Sequence, residues 1–107
     1  MEDIIEINEK NYEAEVLGAS KPVLLDFYAP WCVHCTALSP TIGEIGKIFS
    51  GRAVTGIVNT DEEKALADAF GIFSVPTLVV ISGGEIKSRH VGGATADEIS
   101  AMLEREL

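Results

Sequence analysis

The stretch LLDFYAPWCVHCTALSP, Leu24–Pro40, decides how this chain is read. It begins inside PVLLDFYA, Pro22–Ala29, an apolar run rich in branched and aromatic residues. That is the pattern of a strand buried on both faces. The periodicity then changes. From Cys32 to Phe49, Leu38, Ile42, Ile45 and Phe49 recur at helical spacing and form one apolar stripe. Pro40 lies within it and is expected to bend the helix. The chain's two cysteines, Cys32 and Cys35, thus fall where a buried strand gives way to a helix, with Val33 and His34 between them.

Working outward, Asp3–Ile7 reads as a short first strand and Asn11–Gly18 as a short helix stopped by Gly18. Ala53–Asn59 is the next strand. Thr60–Glu63 (TDEE) has capping-box form and is expected to open a helix to about Phe70. Thr77–Ile81 is a second central strand. Ser82–Glu85 (SGGE) turns it into a hairpin partner, EIKSRHV. Thr95–Glu98 (TADE) is a second capping box, opening a last helix with Ile99, Met102, Leu103 and Leu107 on one face. The order βαβαβα followed by ββα predicts an α/β fold of one domain, residues 1–107, with a mixed sheet and helices on both faces.

Composition narrows the function. The chain has 107 residues, 47% of them hydrophobic, enough for a core that needs neither disulfide staples nor structural metal. Its formal net charge of −9 disfavours nucleic acid and anionic membranes as partners, since both select clusters of Lys and Arg. The amino terminus, MEDIIEINEKNYE, has no basic region, apolar core or cleavage site of a signal peptide, and no apolar run is long enough to span a bilayer. A cytoplasmic protein is expected, and in a reducing cytosol a lone cysteine pair is not a structural staple.

Placement at a helix start favours a thiolate at Cys32, because free backbone N–H groups and the positive end of the helix dipole point there. Cys32 is expected exposed at the helix tip and Cys35 tucked one turn in. That asymmetry suits a two-step exchange, in which Cys32 attacks a substrate disulfide and Cys35 resolves the mixed disulfide. Zinc uses the same spacing but needs about four ligands. The only other nitrogen candidates are His34 and His90, and His34 is awkwardly placed to ligate together with both cysteines. Asp26, in the middle of a buried strand, cannot stay charged cheaply, so burial should raise its pKa. The competing reading places it on a strand edge facing solvent.

VLLDFYAPWCVHC, then Pro40, GIFSVPTLVVISGGE and VGG, resemble the thioredoxin family across nearly the whole chain. The pairing of Trp31-Cys32-x-x-Cys35 with Val75-Pro76-Thr77 is far more specific than the cysteine spacing alone. The resemblance implies a thioredoxin fold, a central mixed five-stranded sheet flanked by helices on both faces. It implies Cys32 as nucleophile, Cys35 as resolving thiol, Asp26 as a proton carrier behind Cys35, and a cis peptide before Pro76. Trp31, Val75, Pro76, Gly92 and Gly93 would form the substrate groove, although Trp31 could instead pack in the core. It further implies a protein-disulfide reductase with no bound cofactor, a monomer that acts on disulfide-containing proteins and is re-reduced by a thioredoxin reductase. The chain departs from the family pattern at Val33-His34, where Gly-Pro is usual, at Tyr28, at Ser74, and at Ile57, where many members have a lysine near the buried aspartate. His34 resembles the Cys-x-His-Cys sites of disulfide isomerases and oxidases and should tune the thiolate and the redox potential. Isomerase or oxidase activity, or a non-catalytic binding module on the same scaffold, are the alternatives.

Overall fold

The structure is a computed structural model and describes residues 3–107. Its centre is a five-stranded mixed sheet in the order β1-β3-β2-β4-β5. The strands are β1 (Ile5–Glu6), β2 (Val23–Tyr28), β3 (Val54–Asn59), β4 (Thr77–Ser82) and β5 (Glu85–Val91). β1 and β2 run parallel to β3, while β4 runs antiparallel to both β2 and β5. β2 is therefore the middle strand, and its alternation distributes side chains to two cores. Leu25 and Phe27 pack with Val16, Leu66 and Phe70 on one face. Leu24 packs with Leu38, Ile42, Ile45 and Ile99 on the other.

The second face is covered by α1 (Val33–Ile48) and α3 (Ala96–Glu104), the first by α2 (Lys64–Ala69) and a short π-helical segment, Glu13–Leu17. The apolar stripe of α1 is buried as its spacing requires, and the helix is continuous through Pro40. The hairpin turn uses Gly83 and Gly84 at φ +62° and +79°, the positive-φ pair of a type I′ turn that only glycine adopts cheaply.

Four local expectations are corrected. β1 is ordered as a ladder only over Ile5–Glu6, shorter than Asp3–Ile7. The Asn11–Gly18 helix is a π turn, because the Gly18 N–H donates to Glu13 O at 2.8 Å, five residues back. Thr60–Glu63 is no capping box. α2 begins only at Lys64, and no side chain caps it. Thr60 Oγ1 donates instead to Tyr28 O at 3.1 Å, and Glu63 Oε1 accepts from Glu9 N–H at 3.0 Å. Leu107 lies beyond the end of α3 and is exposed, whereas Ile99, Met102 and Leu103 are buried. The Thr95–Glu98 box is present in both halves: Thr95 Oγ1 accepts from Glu98 N–H, and Glu98 Oε1 accepts from Thr95 N–H.

Candidate active site

β2 ends at Tyr28 and the chain turns through Ala29–Trp31 into α1, with Cys32 as the N-cap residue in extended conformation. Its sulfur does what a Ser or Asp oxygen does at other helix starts. Sγ accepts the Cys35 N–H at 3.2 Å, one of the donors that the first helical turn leaves free. A sulfur held by a backbone donor at the positive end of a 16-residue helix is placed to carry negative charge.

The expected contrast in exposure is absent: Cys32 is 6% and Cys35 5% exposed. Both pack in a small cluster with Ala29, flanked by Tyr28 and Val75. Cys32 is roofed by the Val75 segment, with Sγ 3.7 Å from Val75 O. The asymmetry is chemical instead. Burial drives the Cys35 thiol well above the ordinary thiol range, and its contact with Cys32 adds to this. Both cysteines are free thiols, so the structure describes the dithiol form.

Asp26 does not face solvent at an edge. It is 3% exposed on the middle strand, between Ile57 of β3 and Leu78 of β4 in register. Its Oδ1 has no hydrogen-bond partner. Burial raises its pKa to about 7. An open hollow of about 280 Å³ is lined by both Asp26 and Cys35, so the carboxyl and the second thiol border one space.

The groove residues also come together. The Val75–Pro76 peptide is cis. Gly92, at φ +96°, donates its N–H to Pro76 O at 2.8 Å, which fixes the glycine turn beside the proline. Trp31 is 71% exposed, outside any core, with Nε1 3.4 Å from Asp61 Oδ1. His34 sits exposed in the first turn of α1.

Phe73 and Asp61 were not singled out in the sequence, and His90 was weighed only as a metal ligand. Phe73 is 99% exposed and shares a pocket of about 160 Å³ with Trp31 and Val75. Its place in the GIFSVP segment was the available signal. His90 donates from Nε2 to Gly93 O at 2.9 Å and so ties down the glycine turn. Asp61 holds the Trp31 indole, a pairing across 30 residues that no local pattern announces. Among the described residues no three His, Cys, Asp or Glu side chains are grouped to hold a metal ion.

Fold and site together define a dithiol protein in which a helix-capping cysteine, a high-pKa partner thiol and a buried carboxyl adjoin a cis-proline loop. Residues 3–105 match the thioredoxin family, and the chain belongs to it. Members of that family are protein-disulfide oxidoreductases whose redox group is the cysteine pair itself. The chain is 36% identical to thioredoxin 1 of Nostoc sp., covering 95% of each protein. It is 30% identical to the thioredoxin of Haemophilus influenzae over the full length of both. It is 31% identical to the chloroplastic M-type thioredoxin of Zea mays over 98% of its own length, but spans only 63% of that protein.

Proposed function

We propose that this chain reduces protein disulfides through the Cys32–Cys35 couple. The observation that carries the reading is the Cys35 N–H donated to Cys32 Sγ, next to a Cys35 thiol that burial keeps protonated. The Cys32 thiolate attacks one sulfur of a substrate disulfide, forms a mixed disulfide and expels the first substrate thiolate. Cys35 then gives its proton to the Asp26 carboxylate and attacks Cys32 Sγ. The Cys32–Cys35 bond forms, the bond from Cys32 to the substrate breaks, and the second substrate thiolate leaves. Two electrons pass from the dithiol to the substrate, and the departing thiolates take up protons. With a pKa of about 7, Asp26 can accept and release that proton near neutral pH. Trp31, Val75, Pro76, Gly92 and Gly93 would hold an extended substrate segment across Cys32, with strand-like pairing to the Val75 backbone.

The finer assignments are a monomeric single domain, cytoplasmic protein targets and re-reduction by a thioredoxin reductase. The match to full-length bacterial thioredoxins supports them. No helix among the described residues is long and apolar enough to cross a membrane. His34, exposed beside the cysteines, favours a second reading as an isomerase or oxidase. A glutathione redox titration of the Cys32–Cys35 couple tests the choice. A potential near −270 mV supports the reductase, and one near −180 mV supports the isomerase.

A further inference from the structure

Two hollows meet at Asp26. The one that Cys35 also lines is about 280 Å³, and a second, about 450 Å³, opens along α1. Asp26, Ser39 and Ile57 line both. The larger lies within the size range of small-molecule sites, and its walls include Ile4, Pro40 and Ile42. At its inner end is a carboxyl that is 3% exposed and has an oxygen without any partner. Leaving a buried polar atom without a partner is costly, and a cation beside this carboxyl would offset that cost.

None of the surrounding elements provides a cation. Ile57 of β3 and Leu78 of β4 flank Asp26 in register. The titratable groups facing the cleft are Glu6 from β1, Tyr28 from β2 and Cys35 from α1, and no Lys or Arg lines either hollow. Glu6 at the rim and the chain's net charge of −9 make the local field more negative. Apolar walls, one bare carboxyl at the back and a negative rim are complementary to a cation carrying a small apolar body.

We propose that this cleft is a binding site for a small primary amine with an apolar body, seated with its ammonium beside the Asp26 carboxylate and its body between Ile42 and Ile57. Binding is a property of the cleft alone. A consequence for catalysis rests on the proposed role of Asp26: an occupied carboxylate cannot take the proton of Cys35, so resolution of the mixed disulfide slows. Because a protonated carboxyl attracts an ammonium far less, binding follows the ionisation of Asp26 and strengthens as pH rises through about 7.

The test uses 2-phenylethylammonium as probe and 2-phenylethanol as its neutral isostere, followed by backbone amide NMR of the reduced protein. The expected result is a saturable shift of the Asp26, Ser39, Gly43 and Ile57 amides at pH 8, with affinity roughly tenfold or more weaker at pH 5.5, as loss of the carboxylate requires. Asp26→Asn should abolish it. Gly43→Leu should too, by filling the cleft, since a Cβ there meets nothing within 4 Å and the carboxyl is untouched. Absence of saturable shifts, equal binding of the alcohol, or binding retained in Asp26→Asn would overturn the proposal. Disulfide reduction by the unliganded wild type is measured separately, so a failed amine site and a failed reductase reading give different results.

Discussion

Phe27 and Asp26 are neighbours on β2, yet they sit in different surroundings. Phe27 points into a closed apolar core, fully buried, with its ring 5.1 Å from that of Phe70. Asp26 points to the opposite face, is almost as buried, and borders two open hollows with an unpaired oxygen. One face of the sheet closes completely over Phe27 and Leu25. The other is left loose where β2 passes behind the cysteines. Alternation along β2 thus places Val23, Leu25 and Phe27 in one core and Leu24 and Asp26 on the other face, where Asp26 borders both hollows.

If that division holds, substitutions on the two faces separate activity from stability. The largest effect belongs to the cysteines. Cys32→Ser should abolish disulfide reduction while the melting temperature stays close to that of the reduced wild type. Cys35→Ser should retain the first attack and accumulate mixed disulfides through Cys32, since no resolving thiol remains. Non-reducing electrophoresis with a disulfide-bearing protein reads both. Equal trapping by the two variants would break the assignment of roles.

On the closed face, Phe27→Ala removes a ring from a core that cannot collapse onto it, and should cost about 3–5 kcal/mol in denaturant unfolding. The reduction rate of the fraction still folded should change little. A variant that lost activity in proportion to nothing but its cysteine chemistry, at unchanged stability, would contradict the division.

Asp26→Asn addresses the open face. The carboxyl titrates near 3.8 when unfolded and at about 7 when folded, so the folded state binds the extra proton between these values. Stability then falls as pH rises from about 4 to 7 and levels off above. The asparagine variant should gain stability over wild type at pH 8, on the order of a few kcal/mol. The gain should shrink on acidification and be gone near pH 4. Its turnover should be slower near and above neutral pH, because Cys35 has lost its proton acceptor. Urea unfolding at several pH values and a pH–rate profile make the comparison. A pH-independent stability gain would mean that the ionised carboxyl is not what the cleft destabilises.

Much of this arrangement was legible in the sequence, because its signals are local or periodic. The β2 run, the α1 stripe, the Thr95–Glu98 box and the Gly83-Gly84 turn each act within a few residues, and each formed as read. The same logic failed at Thr60–Glu63, which has the same chemistry as Thr95–Glu98. There the capping hydroxyl is drawn to Tyr28 O and the glutamate to Glu9 N–H, both contacts to distant parts of the chain. Burial of Cys32 was misjudged for a related reason. The Val75 segment that roofs it is 43 residues away. The hollows at Asp26 were not legible at all, since a void belongs to the space between elements and to no residue in particular.

His34 offers the finest test, because it lies outside both faces and acts, if it acts, through charge alone. It is exposed in the first turn of α1, one position before the N–H that holds Cys32 Sγ. A cationic imidazole there stabilises the Cys32 thiolate, hence the reduced protein, and makes the disulfide more oxidising. For an exposed pair the interaction is worth no more than about 1 kcal/mol, which converts to roughly 20 mV for a two-electron couple. That is well short of the ~90 mV between thioredoxin and the disulfide isomerases, so His34 alone should soften a reductase without converting it. His34→Pro is therefore expected to make the potential more negative by about 20 mV in a glutathione titration. His34→Gln removes the charge but keeps the backbone N–H, and should reproduce most of that shift. If the proline variant shifts and the glutamine variant does not, the effect comes from the backbone of the helix start. If neither becomes more negative, the Val33-His34 pair does not set the redox poise of the site.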